Sequence, residues 1–334
     1  MFKLRCIDRA RFMGFALLPL ALAAVATSVL GQDPPPPKAD HHIHLNTPVA
    51  NEILAQHEPD RARNQVKTLS DLIAFLDSTG VKQAAVLSDA YIIGGFAVKQ
   101  IPPGSDEYDN VQKENDWLLK QIAPYSGRLV GFCSENPLKS YAVEEIKRCA
   151  SIGLRGLKLH FTNAAVDLRN PKHIEQLKAV FSAANAVKFP IIVHMRTWNR
   201  NYGFEDARKF IAEVLPSAPD VPVQIAHMAG WGGYDSATDE AMKAFIQAFE
   251  SGTLARKNVY FDLSATVVTF PFSGPPKTAE LVSRIRQVGL RHVLYGSDWP
   301  GPPSADYAKT LRESLGLQVS ELREILDNTA PYLK

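Results

Sequence analysis

The chain has 334 residues, 46% of them hydrophobic and 22% charged, which supplies ample apolar material for a packed core and excludes a mainly disordered protein. Its formal net charge is +2, but four basic residues (Lys3, Arg5, Arg9 and Arg11) and one acidic residue (Asp8) lie within the first 31 positions, so the remainder carries 33 basic and 34 acidic side chains. A balance of −1 with no basic stripe offers no footprint for a nucleic-acid partner.

Residues 1–31 read as a secretory signal. A basic start is followed by an apolar run from Phe12 to Gly31, and small residues stand near its end at Ala24-Val25-Ala26 or Val29-Leu30-Gly31. The mature chain would then work in the periplasm or outside the cell. The alternative is an uncleaved membrane anchor, because the run approaches the roughly 20 residues that span a bilayer. No Cys follows it, which disfavours a lipid-modified form. Residues 32–38, QDPPPPK, make a stiff proline-rich spacer. Residues 39–334 are left as a single domain.

From Ala39 onward, short apolar and β-branched runs alternate with amphipathic stretches. Strands are predicted at 39–45, 81–88, 128–135, 155–161, 189–195, 221–228, 258–265 and 291–298. Helix-period segments such as LSDLIAFLDSTG, YAVEEIKRCASIG and TAELVSRIRQVG lie between them. Gly80, Gly153, Gly252 and Gly289 close several of these segments, as residues just past a helix end do. Eight alternations in one composition regime predict an α/β protein with a single (β/α)8 TIM barrel. A doubly wound open sheet is the competitor. Its glycine-rich phosphate turn is missing after the first strand, where the chain has HHIHLNTP.

The connections are asymmetric. Helix-to-strand links are short, whereas strand-to-helix segments are long and carry Trp, Tyr, Phe and Arg, which marks the C-terminal rim of the barrel as the active face. Of the cysteines, Cys6 leaves with the signal. Cys133 and Cys149 are an even pair that an oxidising compartment would allow to bond. One lies on a strand and the other on the next helix, positions that rarely meet the Cα distance limit, so two buried thiols are expected.

Five polar residues end predicted strands: His42 and His44 on the first, His194 on the fifth, His227 on the sixth and Asp298 on the last. Imidazoles and a carboxylate are the ligands that borderline divalent metals prefer. His42 and His44, two apart, share one face of their strand. Their partners could be a metal, each other, or backbone carbonyls of a core. His41 is expected out of phase, toward solvent or a helix, and Asp40 in phase, as an acceptor orienting His42 from below. His194 and His227, each taken alone, would more often be satisfied rim histidines; recurrence at strand ends is what points to a site. On the fourth strand Lys158 and His160 share a face and can reach the mouth. Arg196, followed by Trp198 and Arg200, suits a carboxylate-bearing or aromatic substrate, or is loop surface. Trp231, Tyr234 and Trp299 either wall the pocket or pack the barrel mouth.

The DHHIH, VHM, AHM and GSDWP segments resemble the amidohydrolase superfamily, in particular its amidohydrolase-related (amidohydrolase-2) branch, over residues 39 to about 333. GLKLH and AHMAG reinforce the resemblance. It implies a (β/α)8 barrel, a divalent metal (often zinc), and hydrolysis or, in some branches, non-oxidative decarboxylation. By position, His42, His44, His194 and Asp298 resemble the metal ligands, and His227 resembles a general base or transition-state electrophile. Asp298 would also accept the proton of the attacking water. In binuclear branches a carbamylated strand-four lysine bridges two metals, a role open to Lys158; with one metal, Lys158 is a substrate-orienting cation. One metal per chain is expected, because this branch is commonly mononuclear.

The leading expectation is therefore an exported hydrolase that cleaves an amide, ester or lactone bond in a small molecule. Its first rival is a decarboxylase of an aromatic or unsaturated carboxylic acid, which export disfavours. The second is a non-catalytic binding protein on a TIM barrel, which would have no need of all five polar residues. Stable membrane insertion after signal cleavage is not expected, and a homodimer is left open.

Overall fold

Eight parallel strands stand side by side in chain order: β1 (Ala39–His44), β2 (Gln83–Leu87), β3 (Leu129–Ser134), β4 (Leu157–His160), β5 (Ile191–His194), β6 (Val223–Ile225), β7 (Val259–Asp262) and β8 (Val293–Leu294). Every one falls inside its predicted window. The computed structural model describes residues 34–57, 67–95, 106–269, 274–301 and 306–334. The expected signal at 1–31, the first two residues of the spacer, and parts of the long loops after the first, second and seventh strands lie outside the described residues. The helices are α1 (Pro48–His57), α2 (Leu69–Thr79), α3 (Glu107–Ile122), α4 (Ala142–Ile152), α5 (Pro171–Ala186), α6 (Phe204–Lys209), α7 (Ser236–Glu250), α8 (Thr278–Val288), α9 (Tyr307–Ser314) and α10 (Val319–Asp327). Among the described residues, no helix is long and apolar enough to cross a membrane.

The sheet closes where the segment after β8 meets β1. The backbone N–H of His41 donates to the Tyr295 carbonyl (3.0 Å), that of Asp298 to His42 (2.8 Å), and that of His44 to Trp299 (2.7 Å). These bonds pair the β1 edge with the segment that follows β8. The result is the predicted (β/α)8 TIM barrel.

Both faces of the strands are covered, which is why they read as near-continuous apolar runs. Ala39, Ala85, Leu87, Phe132, Ile192, Ala226 and Leu294 fill the interior together with Tyr332, which follows α10. On the outside, Ile43, Leu45 and Val86 meet Leu72, Phe75 and Leu76 of α2. Those three α2 residues have the i, i+3, i+4 spacing of one helix face. Thr68 and Asp71 cap the start of α2 reciprocally. Gly80 ends it in the left-handed region at φ 73°, where an added Cβ would also lie 2.8 Å from Pro36 Cβ. Cys133 and Cys149 are both buried thiols, and Cys149 Sγ donates to Glu145 Oε1 at 3.3 Å.

Two expectations on β1 are corrected. His41 is fully buried rather than turned to solvent or a helix. The β1–β2 register shifts between Asp40 and Ile43, so simple alternation fails there, and the His41 ring lies edge-on to Tyr332 in the barrel interior. Asp40 does not orient the His42 ring. Its Oδ1 accepts from the backbone N–H of His42 and of Ser297, both at 3.0 Å, and so fastens β1 to the closing segment.

Candidate metal centre

At the C-terminal end of β1, the two imidazoles are turned by carboxylates that the sequence reading had not singled out. His42 Nδ1 lies 3.0 Å from Asp262 Oδ2 at the end of β7, and His44 Nδ1 lies 2.6 Å from Asp89 Oδ1, just past β2. Only an N–H can face a carboxylate, so both rings carry their hydrogen on Nδ1 and a lone pair on Nε2. The two Nε2 atoms are 3.1 Å apart. Asp298 Oδ1 completes the group, 3.4 Å from one and 3.6 Å from the other.

Two lone pairs and a carboxylate aimed at one point repel unless positive charge lies among them. A divalent cation is what this donor set fits. His194 supports the same conclusion: it is buried, and its Nε2 has no hydrogen-bond partner among the described residues. Burial, with the Lys158 ammonium next, pushes the His42 pKa down to about 3. Burial and the neighbouring His160 and His227 hold His194 well below the ordinary value. Both are thereby kept in the neutral form that binds metal. Lys158 Nζ stands 3.0 Å from His42 Nε2, so its β4 side chain reaches the centre of the site. Burial lowers its pKa to about 8, against the pull of Asp262, Asp298 and Asp89.

Asp262 joins the two halves of the site. Oδ2 accepts from His42 Nδ1 and from Gln224 Nε2 (2.6 Å), while Oδ1 accepts from the His227 backbone N–H (2.9 Å), the Ser264 backbone N–H (3.1 Å) and the Ser264 hydroxyl. Burial alone would raise its pKa; His42, His227 and Ser264 outweigh that and hold it far below the usual range. The bond to His227 has a backbone purpose. His227, Met228 and Ala229 all have left-handed φ (54°, 51° and 69°), as does Asp298 (60°). Such non-glycine residues cost roughly 1–2 kcal/mol each and persist only where surrounding bonds hold them, characteristically at functional sites. His227 Nδ1 lies 2.8 Å from the Ser264 carbonyl, so it donates there and leaves Nε2 as an acceptor.

The remaining candidates divide. The His160 ring stacks on His194 (centroids 3.9 Å apart) and meets Tyr91 (4.8 Å), which extends an imidazole array that continues through His227 to His42 and His44. Arg196 is not turned toward this group. Its guanidinium makes two 3.2 Å bonds to Asp235, the residue that caps α7, and lies over the Tyr202 ring. Trp299 stacks on Phe75 of α2, and its backbone bridges to that of the outward-facing Ile43. Tyr234 is wholly buried, with its hydroxyl on Asp239. Trp198 and Trp231 meet edge to face on the rim at 4.4 Å.

Asp89, Asp262, Ser264 and Gln224 escaped sequence reasoning. The signal for the first two was present, a carboxylate at or just past the end of a strand in YFDLS and VLSD. A lone Asp there is an ordinary turn residue until its imidazole partner is known. A second cluster of metal-ligating types, His42, His227 and Asp262, is already saturated by the hydrogen bonds just described.

The amidohydrolase family profile matches residues 39–330. No curated protein matches the chain. Solved structures with the same fold include a 2,6-dihydroxybenzoate decarboxylase from Rhizobium (14% identity, TM-score 0.59, 86% of this chain and 95% of that one). A dihydroxybenzoic acid decarboxylase from Polaromonas, with bound manganese and the inhibitor 2-nitroresorcinol, is 15% identical (TM-score 0.59, 87% and 94% covered). A protein named as a probable 2-pyrone-4,6-dicarboxylic acid hydrolase from Acinetobacter baumannii is 14% identical (TM-score 0.51, 86% and 95% covered). At these identities the likeness is one of fold.

Proposed function

The chain belongs to the amidohydrolase family, and from that premise we propose that it is a metal-dependent hydrolase cleaving an amide, ester or lactone bond in a small molecule. The observation that carries this reading is the convergence of His42 Nε2, His44 Nε2 and Asp298 Oδ1 on one point; His194 stands outside that close group, its ring 5.0 Å from that of His227 and its Nε2 without a partner among the described residues. Those four residues would hold one divalent ion. Three imidazoles and a carboxylate suit zinc; manganese, present in the Polaromonas neighbour, is the competing choice.

Bound there, the cation would supply a water of lowered pKa and polarise a substrate oxygen. The other roles fall to the chain. Asp298 takes the proton of the water as its oxygen attacks an sp² carbon, and returns that proton to the leaving group. His227, with Nδ1–H committed to Ser264, offers its Nε2 lone pair as a second proton acceptor. Lys158 directs its ammonium at developing negative charge on the substrate oxygen. An unmodified Lys158 beside a single metal is part of the same proposal.

Decarboxylation of an aromatic acid is the second reading, favoured by the decarboxylases among the structural neighbours. Against it stands Arg196, the cation suited to a carboxylate-bearing substrate, which is occupied by Asp235. We further propose, from the signal-like pattern of residues 1–31, that the substrate is met outside the cytoplasm.

Two measurements test the proposal. Elemental analysis of the purified chain is expected to give close to one divalent metal per chain, lost in His42→Ala. A wild-type protein without metal would sink both enzyme readings. A panel of lactones, amides, esters and aromatic acids is then assayed for bond hydrolysis and for carbon dioxide. Hydrolysis without gas release is expected, and release of carbon dioxide from an aromatic acid would transfer the assignment to the second reading.

A further inference from the structure

We propose that Tyr332, on the floor of the barrel, is a positioning residue that fixes the His42 imidazole through Gln224 and Asp262. The inference rests on the reading of His42 as a metal ligand. Tyr332 lies beyond α10, yet its ring enters the barrel interior. It packs edge-on to Phe132 (centroids 5.2 Å apart) and to His41 (6.1 Å). Its hydroxyl donates to Gln224 Oε1.

The Gln224 amide is fully engaged. One Nε2 hydrogen goes to Asp262 Oδ2 (2.6 Å) and the other to the His41 carbonyl (3.1 Å), while Oε1 receives the Tyr332 hydroxyl. A flipped amide would set its oxygen against a carboxylate and a carbonyl, so only one orientation is satisfied. Asp262 then holds the His42 Nδ1–H and the His227 backbone N–H. The order Tyr332, Gln224, Asp262, His42 is therefore a continuous buried chain of hydrogen bonds from floor to rim.

The segment around Tyr332 is tied to β1 a second time. His41 Nε2 accepts the Ala330 backbone N–H at 3.1 Å, while its Nδ1 donates to the Tyr295 carbonyl at 2.8 Å. The strand that carries both imidazoles is thus pinned to the segment after α10. Without the phenol hydroxyl, Gln224 Oε1 is left buried with no donor, and the amide that aligns Asp262 loses its restraint. Partners behind a metal-bound histidine are commonly worth about 10- to 100-fold in metal affinity. A residue one step further back is expected to be worth less.

The test is zinc affinity of the full chain, measured by chelator competition, in Tyr332→Phe, Gln224→Met and the double variant. Tyr332→Phe should weaken binding about 3- to 10-fold, and Gln224→Met about 10-fold or more. The double variant should be no weaker than Gln224→Met alone, because Tyr332 acts through Gln224. Phe132→Leu, which disturbs the same interior layer without touching the hydrogen bonds, should leave the affinity near wild type. The proposal is overturned if Tyr332→Phe binds zinc like wild type, if the two effects multiply, or if Phe132→Leu weakens binding equally. A wild-type chain that binds no divalent metal overturns instead the underlying metal-site reading, so the two failures are distinguishable.

Discussion

Asp298→Asn is expected to lower kcat by about a thousandfold at saturating metal, on whichever panel substrate is turned over best, with little change in KM. Positioned proton transfer contributes roughly 10²–10⁴ to enzymatic rates, and Asp298 is the proton acceptor proposed at the point where the imidazole lone pairs meet. The substitution is close to silent in structure. The left-handed φ of 60° at this position is one that Asn tolerates as well as Asp. The backbone bond from Asp298 N–H to the His42 carbonyl, which helps to close the barrel, does not involve the side chain. What changes is the ability to take up a proton. A variant within tenfold of the wild-type kcat would remove Asp298 from the chemistry and leave it at most a ligand. A variant that fails to close the barrel would reveal itself in its thermal melt before any kinetics were read.

Glu135→Met is expected to stabilise the protein increasingly as pH rises from 4.5 to 8. Glu135 follows β3 and is fully buried, and neither carboxylate oxygen has a hydrogen-bond partner among the described residues. Burial first, and the nearby Glu145 second, push its pKa up from 4.5 to about 8. Below pH 4.5 the group is protonated in both folded and unfolded chains and has no pH-dependent effect. Between the two values the unfolded chain releases a proton that the folded one retains, so stability falls by about 1.4 kcal/mol per pH unit. The loss is complete once pH passes about 8 and sums to roughly 5 kcal/mol, an upper bound because water entering the site would soften it. Met has similar length and no charge to bury. Urea unfolding of both proteins at pH 4.5 and pH 8 reads the difference directly. A stability gap equal at the two pH values would show that Glu135 keeps an ordinary pKa in the fold.

Much of the site was legible in the sequence, and the reasons are local. His42 and His44 two apart on a strand must share a face, and an imidazole or carboxylate at the end of an apolar run must emerge at one rim of a barrel. His194, His227, Lys158 and His160 follow from the same rule, and all lie in the cluster the structure assembles. The rule failed where alternation is interrupted. The register shift in β1 moved His41 inward, and Trp299, which lies beyond β8, stacks its indole on Phe75 of α2. Arg196, which the sequence leaves open between a substrate cation and loop surface, takes its direction from Asp235, a helix-capping carboxylate 39 residues away.

By itself, then, the sequence determined the barrel, the rim that carries the chemistry, and the imidazole-carboxylate set gathered there, because periodicity and strand-end placement are properties of neighbouring residues. Only the tertiary structure decided which nitrogen of each imidazole is free. His44 is oriented by Asp89, and His42 by Asp262, 220 positions further along the chain. Hydrogen-bond direction depends on the partner that folding brings alongside, and no local pattern encodes a partner so distant in sequence.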